Sequence, residues 1–310
     1  MKSQNLNVGS ASRLIAAAAC WGIATVITKD ILSSLPPITL LIIQLAFSIL
    51  LLWILVSLRG RHVTDKKTLL KLGAAGLLNP GISYTLSLLG LSMSTVTMST
   101  LLWASEPVLI LGLAWFILRE MLTLRQIFFS ITAMVGVVLI GGLGVGMVTK
   151  GILLGNLLIL GGVLCCALYT VLVQYIRSDV DSLHIVALQQ TVALVWALVI
   201  WPLELRSGTS VNLADLGLST WFWAGFSGVV YYALAFWFYV QGLKRVNASI
   251  AGIFINFIPI FGVSGAYLFL GERLSLVQWM GAGVILLSVF IILRGSNRNV
   301  DVQVRDFSSE

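Results

Sequence analysis

Charge is scarce in this sequence: Asp, Glu, Lys and Arg together make up 10% of its 310 residues. Soluble domains carry about 25%, and a soluble chain of this length needs far more polar surface to cover its core. An ordinary cytosolic enzyme, a secreted scaffold and a disordered chain are all excluded. Histidine is nearly absent, with His62 and His184 alone, and neither has a Cys or carboxylate cluster beside it. No metal-ligand spacing exists. The three cysteines, Cys20, Cys165 and Cys166, each fall inside an apolar run, which excludes a disulfide framework. Catalytic constellations are missing too: there is no H-E-x-x-H or G-x-S-x-G, and Gly225-Phe226-Ser227-Gly228 is only a partial look-alike. The run Gly142-Leu143-Gly144-Val145-Gly146 lacks the Lys-Ser/Thr of a phosphate loop. No enzyme activity, cofactor or metal is expected, and no nucleotide-driven engine.

What remains is apolar. Hydrophobic residues make up 58% of the chain and mean hydropathy is +1.00, so lipid is the solvent for most of it. A membrane helix needs about 20 mainly apolar residues. Ten such runs are predicted, over residues 12–31, 38–58, 69–89, 96–118, 123–144, 152–176, 184–203, 220–242, 248–270 and 274–293. They do not alternate as barrel strands do, so they are read as helices. The first run follows Lys2 and Arg13, as a signal peptide would, but no small-residue cleavage site stands out and nine spans follow; it is expected to be retained. With a cytoplasmic N-terminus, fifteen Lys and Arg fall on the inner side and four (Lys29, Lys150, Arg206 and Arg273) on the outer. The positive-inside rule then places both termini in the cytoplasm. No organelle transit peptide is visible, and the expected location is a bacterial cytoplasmic (inner) membrane.

The chain also repeats itself. A shift of 152 residues lays Gly73 on Gly225, Gly76 on Gly228, Gly90 on Gly242, Pro107 on Pro259 and Glu120 on Glu272 without a gap. A shift of 146 extends the match upstream, Gln44 over Gln190. The expected fold is an all-α integral membrane protein of ten transmembrane helices, arranged as two inverted five-helix repeats at 12–144 and 152–293. Tails at 1–11 and 294–310 flank them on the cytoplasmic side. An odd number of spans per copy turns the second upside down, and such repeats characterise secondary transporters with a midplane site between the copies.

These residues resemble the drug/metabolite transporter superfamily, specifically its EamA-type ten-helix permeases. The likeness rests on Cys20-Trp21-Gly22 in the first span, Lys29 at its end and Pro37 opening the second. It continues through Ala167-Leu168-Tyr169, Leu243-Lys244-Arg245 with Ala248, then Pro259 and Gly271-Glu272-Arg273-Leu274, echoed by Glu106-Pro107 and Glu120. The resemblance covers about residues 12–293. Two departures stand out: Gln44 where many members carry Arg within the second span, and Arg119 where a Gly precedes the span-ending Glu. The resemblance implies export or exchange of small metabolites, often amino acids, through a central cavity lined mainly by spans one, three, four, six, eight and nine.

Glu106 is the sharpest candidate. It falls near the middle of the fourth span, the only one of twelve acidic residues so placed, and an ionisable group there marks a functional site by default. It is the candidate for proton coupling; a carboxyl that merely ties two helices together is the competing reading. Pro107 and Pro259 sit alike in spans four and nine and are expected to kink them, releasing the carbonyls of Trp103 and Ile255. Such kinks serve a wet cavity or static packing equally well. Ser99, Trp103, Glu106 and Ile110 share one helical face, expected to line the cavity. Asn79, Ser83 and Tyr84 are candidates on span three, Tyr231 and Tyr232 in the matching part of span eight beside Ala235 and Phe236, and Trp21, Thr25 and Thr28 form a stripe on span one. Trp221 and Trp223 read as interfacial anchors. Of the amides Gln44, Gln189, Gln190 and Asn256, interhelical bonding is favoured for Gln44 and Asn256; Gln190 stands evenly between bonding and ligand contact.

The leading expectation is a secondary transporter of small metabolites, amino acids or related compounds favoured, exporting or exchanging them by alternating access. A passive channel or facilitator is the alternative, and an intramembrane enzyme a remote one. Expected partners are a small-molecule substrate and the bilayer, not nucleic acid; monomer and homodimer both stay open.

Overall fold

Backbone N–H and C=O groups in lipid have no water to bond, so an apolar run must satisfy them internally as a helix. In the computed structural model the described apolar residues do so. The structure describes residues 8–32, 34–59, 66–93, 102–103, 105–141, 150–176, 180–206, 213, 216–269 and, further on, 276, 279–281, 283–284, 287 and 291. The helices are α1 (Val8–Ile31), α2 (Pro37–Arg59), α3 (Lys66–Gly76), α4 (Ser83–Met93), α5 (Glu106–Leu113) and α6 (Leu124–Gly141). They continue as α7 (Lys150–Ile176), α8 (Ser182–Arg206), α9 (Leu218–Gly228), α10 (Ala235–Leu243), α11 (Ala248–Ile255) and α12 (Ile258–Phe269). No strand occurs among the described residues. Five helical stretches are long and apolar enough to cross a bilayer: Val8–Thr28, Pro37–Arg59, Leu153–Ile176, Ser182–Arg206 and Leu218–Leu243. Leu50, Phe116, Phe128, Val199 and Phe222 are exposed on the outside, as a lipid-facing surface requires.

The internal repeat returns in the element boundaries. α3 runs into a wide π-turn segment, Leu77–Ile82, before α4; α9 runs into another, Val229–Leu234, before α10. Adding 152 to each boundary of the first segment gives the second. The helix breaks correspond as closely. Ser105 donates its N–H to the Leu102 carbonyl at 3.0 Å and Leu109 to Ser105 at 3.0 Å; Phe257 donates to Phe254 at 3.1 Å and Phe261 to Phe257 at 3.2 Å. In the second copy the tight i→i−3 turn ends α11 and α12 begins immediately.

Pro107 and Pro259 stand at these breaks. Pro107 occupies the first turn of α5 and Pro259 the second position of α12. The physical reason is the one that predicted a kink, carried further: proline cannot donate to the residue four earlier and its ring crowds that carbonyl, whereas at a helix start the missing N–H has no partner to lose. The chain therefore stops and restarts.

Packing is reciprocal between the halves. α3 lies on α8 while α9 lies on α2; α4 and α5 lie on α7 while α10 and α12 lie on α1. Close approach is set by glycine. A Cβ on Gly76 would overlap the Gln189 backbone, and one on its counterpart Gly228 would overlap the Gln44 backbone. Two carboxylates then fasten the halves. Glu204 near the end of α8 accepts the Ile38 and Thr39 N–H groups at 2.7 and 2.8 Å, and the Thr39 hydroxyl at 2.7 Å, capping α2. Glu120 accepts the Ala248 and Ser249 N–H groups at 3.2 and 3.4 Å, and the Ser249 hydroxyl at 2.5 Å, capping α11. Each fills orphan donors at a helix start and meets the positive end of its dipole.

Candidate functional site

Among the described residues the buried charged side chains are three carboxylates, Glu106, Glu120 and Glu204, and no Lys or Arg. Glu120 and Glu204 are occupied as caps. Glu106 is different. It stands at the first residue of α5, 3% exposed, and its side chain meets the Cys166 thiol of α7.

The interrupted helix opposite supplies Asn79. Proline at position 80 disfavours the helical region for the residue before it, and Asn79 accordingly adopts extended backbone, φ −148° and ψ 120°. Its side chain is 2% exposed; Nδ2 donates to Cys166 Sγ at 3.2 Å, and Oδ1 has no partner among the described residues. Glu106 and Asn79 therefore converge on one thiol from two broken helices. A buried acceptor left unpaired costs about 1–3 kcal/mol, so Asn79 Oδ1 asks for a donor that no described residue provides.

Aromatic rings lie nearby, Tyr84 and Tyr231 next to the Cys166 thiol. Tyr84 lies 5.5 Å from Tyr231 and 5.4 Å from Tyr232 between ring centroids, 6.3 Å from Trp103 and 6.5 Å from Phe236. Trp21 meets Phe236 and Tyr239 edge-on, both at 5.3 Å, with its indole Nε1 buried and unpartnered. The Tyr239 hydroxyl is bonded to Thr170 at 3.0 Å. Tyr231 is within hydrogen-bonding reach of Tyr84 and Thr25. Thr25 is exposed and Tyr84, Trp103 and Tyr231 are partly so, whereas Asn79, Glu106, Tyr232 and Phe236 are buried. The cluster has an accessible edge and a closed floor.

Of the residues singled out from sequence, Trp21, Thr25, Asn79, Tyr84, Trp103, Glu106, Tyr231 and Tyr232 come together here. Ser99 lies outside the described residues. Ser83 and Gln190 are placed otherwise: Ser83 donates to the Gly162 carbonyl at 2.8 Å, and Gln190 donates to the Tyr232 carbonyl at 2.7 Å while accepting from Ser48 at 2.6 Å. Both are fully buried with their polar atoms engaged between helices, because such atoms in an apolar bundle take the nearest backbone or side-chain partner. Gln44 bonds Thr28 and Ser227 at 3.0 and 2.9 Å, and Asn256 donates locally to Ile253 at 3.2 Å. Cys166 and Tyr239 were missed. The signal available was helical spacing: Cys166 and Thr170 are one turn apart on α7. Among the described residues no group of three or more His, Cys, Asp or Glu could hold a metal ion.

The profile of the EamA-like transporter family matches residues 11–142 and again 153–294. The uncharacterized transporter YetK of Bacillus subtilis is 28% identical over 211 residues, 66% of this chain and 62% of its own length. The chain thus matches less than two thirds of that relative. The uncharacterized transporter YvbV of the same organism is 26% identical over 88% of this chain and 87% of its own. An uncharacterized transporter of Archaeoglobus fulgidus is 24% identical over 88% and 95%. One solved crystal structure, 15% identical, superposes with a TM-score of 0.79 over 94% of this chain and 99% of its own, a likeness of fold alone.

Proposed function

The chain belongs to the EamA-like transporter family, and we propose that it is a secondary transporter moving small metabolites by alternating access around Glu106. Amino acids and related compounds, amines among them, form the candidate substrate class. The observation that carries this reading is a buried carboxylate at the start of a restarted half-helix, its cross-chain neighbours being a thiol, an amide oxygen without a donor and a ring of aromatics. Irregular backbone at membrane depth is tolerated only where protein or a wet cavity lines it, and discontinuous helices at the junction of two repeats are where transporters bind their cargo.

The proposal includes ten spans in two inverted copies, both termini in the cytoplasm of a bacterial inner membrane, export or exchange as the direction of use, and Glu106 as the proton carrier. Its support is the 152-residue correspondence of segments and hydrogen bonds, the reciprocal packing, and the distribution of Lys and Arg.

Counterflow tests transport. In vesicles holding the purified chain, unlabelled substrate inside is expected to accelerate uptake of labelled substrate; a pore gives no such acceleration. Glu106→Gln is expected to abolish the pH dependence of that exchange. Full pH dependence in the variant would remove the proton role.

A further inference from the structure

The same site has a charge preference. We infer that its cargo is an organic ammonium, an amine carrying an apolar or aromatic body, rather than an anion or a zwitterionic amino acid. The inference rests on the reading of Glu106 as the substrate site and narrows it.

Three observations converge. First, the buried charges of the described chain are all negative, and Glu106 alone is not engaged by backbone N–H donors. A substrate carboxylate here would join a like charge with no buried cation among the described residues to compensate it, and an uncompensated buried ion is strongly disfavoured. Gln44, where a cation would sit on the second span, directs its amide N–H groups to Thr28 and Ser227 instead. Second, Asn79 Nδ2 donates to the same Cys166 thiol that meets the Glu106 carboxyl, and Asn79 Oδ1 lacks a donor among the described residues. An ammonium carries several N–H donors and no acceptor, so one such group answers both oxygens. Third, the rings of Trp21, Tyr84, Trp103, Tyr231, Tyr232 and Phe236 form a connected cluster, with Tyr84 and Tyr231 near the Cys166 thiol and Tyr231 near Glu106 as well. Aromatic faces attract cations and accept apolar bodies. The remaining orphan, Trp21 Nε1, is a neutral donor suited to a hydroxyl or carbonyl elsewhere on the cargo.

The test uses the full chain purified in detergent, with tryptophan fluorescence and the thermal unfolding midpoint as readouts. Four probes share one phenyl body: phenethylamine, phenylethanol, phenylalanine and phenylpropionate. Phenethylamine is expected to bind more tightly than each of the others by about tenfold or more, a difference of one 1.4 kcal/mol step. Glu106→Gln is expected to weaken phenethylamine by roughly a hundredfold, in the range for truncating one member of a buried charge pair, and to leave phenylethanol unchanged. Equal or tighter binding of phenylpropionate or phenylalanine overturns the inference, as does no binding of phenethylamine. Should Glu106→Gln fail to fold, the four-probe ranking on the unaltered chain decides. Phenethylamine bound but not exchanged in counterflow would sink the transport reading and leave the ammonium site standing. Phenylalanine exchanged without phenethylamine binding would do the reverse.

Discussion

Arg119 shows how a single backbone angle explains a residue preference. It follows the π-turn segment Ala114–Leu118 with φ 54° and ψ 35°, the left-handed region. The 152-residue shift lays Gly271 on it, and glycine is the residue that enters this region freely. Arg119 forgoes that freedom at a cost of about 1–2 kcal/mol. Arg119→Gly is therefore expected to raise the thermal midpoint of the purified protein by a few degrees; Arg119→Ala, which keeps the Cβ, should not. At Glu106 the side chain itself carries the meaning. Its counterpart under the same shift is Ile258, and the counterparts of Asn79, Tyr84 and Trp103 are Tyr231, Phe236 and Ile255. The two halves share backbone breaks and differ in chemistry, so the copy that holds the acid, the amide and the indole sets the character of the site.

At the scale of elements, the helix starts and stops matter more than the helix interiors. α2 and α11 begin on carboxylates delivered from the other half of the chain, Glu204 and Glu120. Trp201 reinforces the first by donating its indole N–H to Thr39 at 3.0 Å. Replacing a cap by alanine costs about 0.5–2 kcal/mol, and losing a charged acceptor from several buried donors falls at the upper end or above. Glu204→Ala and Glu120→Ala are expected to lower the thermal midpoint clearly. Their conservative amide variants should recover part of the loss, since an amide oxygen still accepts. Close approach gives a second test: with the Gln189 backbone against Gly76, Gly76→Val is expected to abolish a monodisperse peak in detergent, because the obstacle is backbone rather than a movable side chain. Surface replacements on the lipid side, such as Leu50→Val, should leave both measurements unchanged.

For the whole molecule, the ends of α2, α8 and α10 come together on one side. Arg59 pairs with Asp181 at 3.6 Å and lies over the Trp237 ring at 5.3 Å, while Lys244 donates to the Val180 carbonyl. The positive-inside reading puts this end in the cytoplasm and Arg206 on the opposite face. In a cysteine-free background, Arg59→Cys is expected to react with an impermeant maleimide only in inside-out vesicles, and Arg206→Cys only in right-side-out ones. Both labelled from the same face would overturn the topology.

The apolar runs and the two-copy plan were legible in the sequence, because they are written in composition and in one recurring offset; the family was legible through the resemblance that motifs such as Cys20-Trp21-Gly22 carry. Glu106 was legible as well, since a lone acid inside an apolar run is conspicuous without coordinates. Local rules also foretold that prolines disturb spans four and nine, but whether a helix bends or restarts depends on the turn that precedes it, and that is settled by packing. Only the tertiary structure decided which polar side chains are engaged. Ser83 and Gln190 sit on inviting faces yet meet carbonyls of neighbouring helices, while Asn79 Oδ1 and Trp21 Nε1 have no hydrogen-bond partner among the described residues. Sequence fixes which groups a helix carries; hydrogen-bond satisfaction depends on what another helix, distant in the chain, brings within three ångströms.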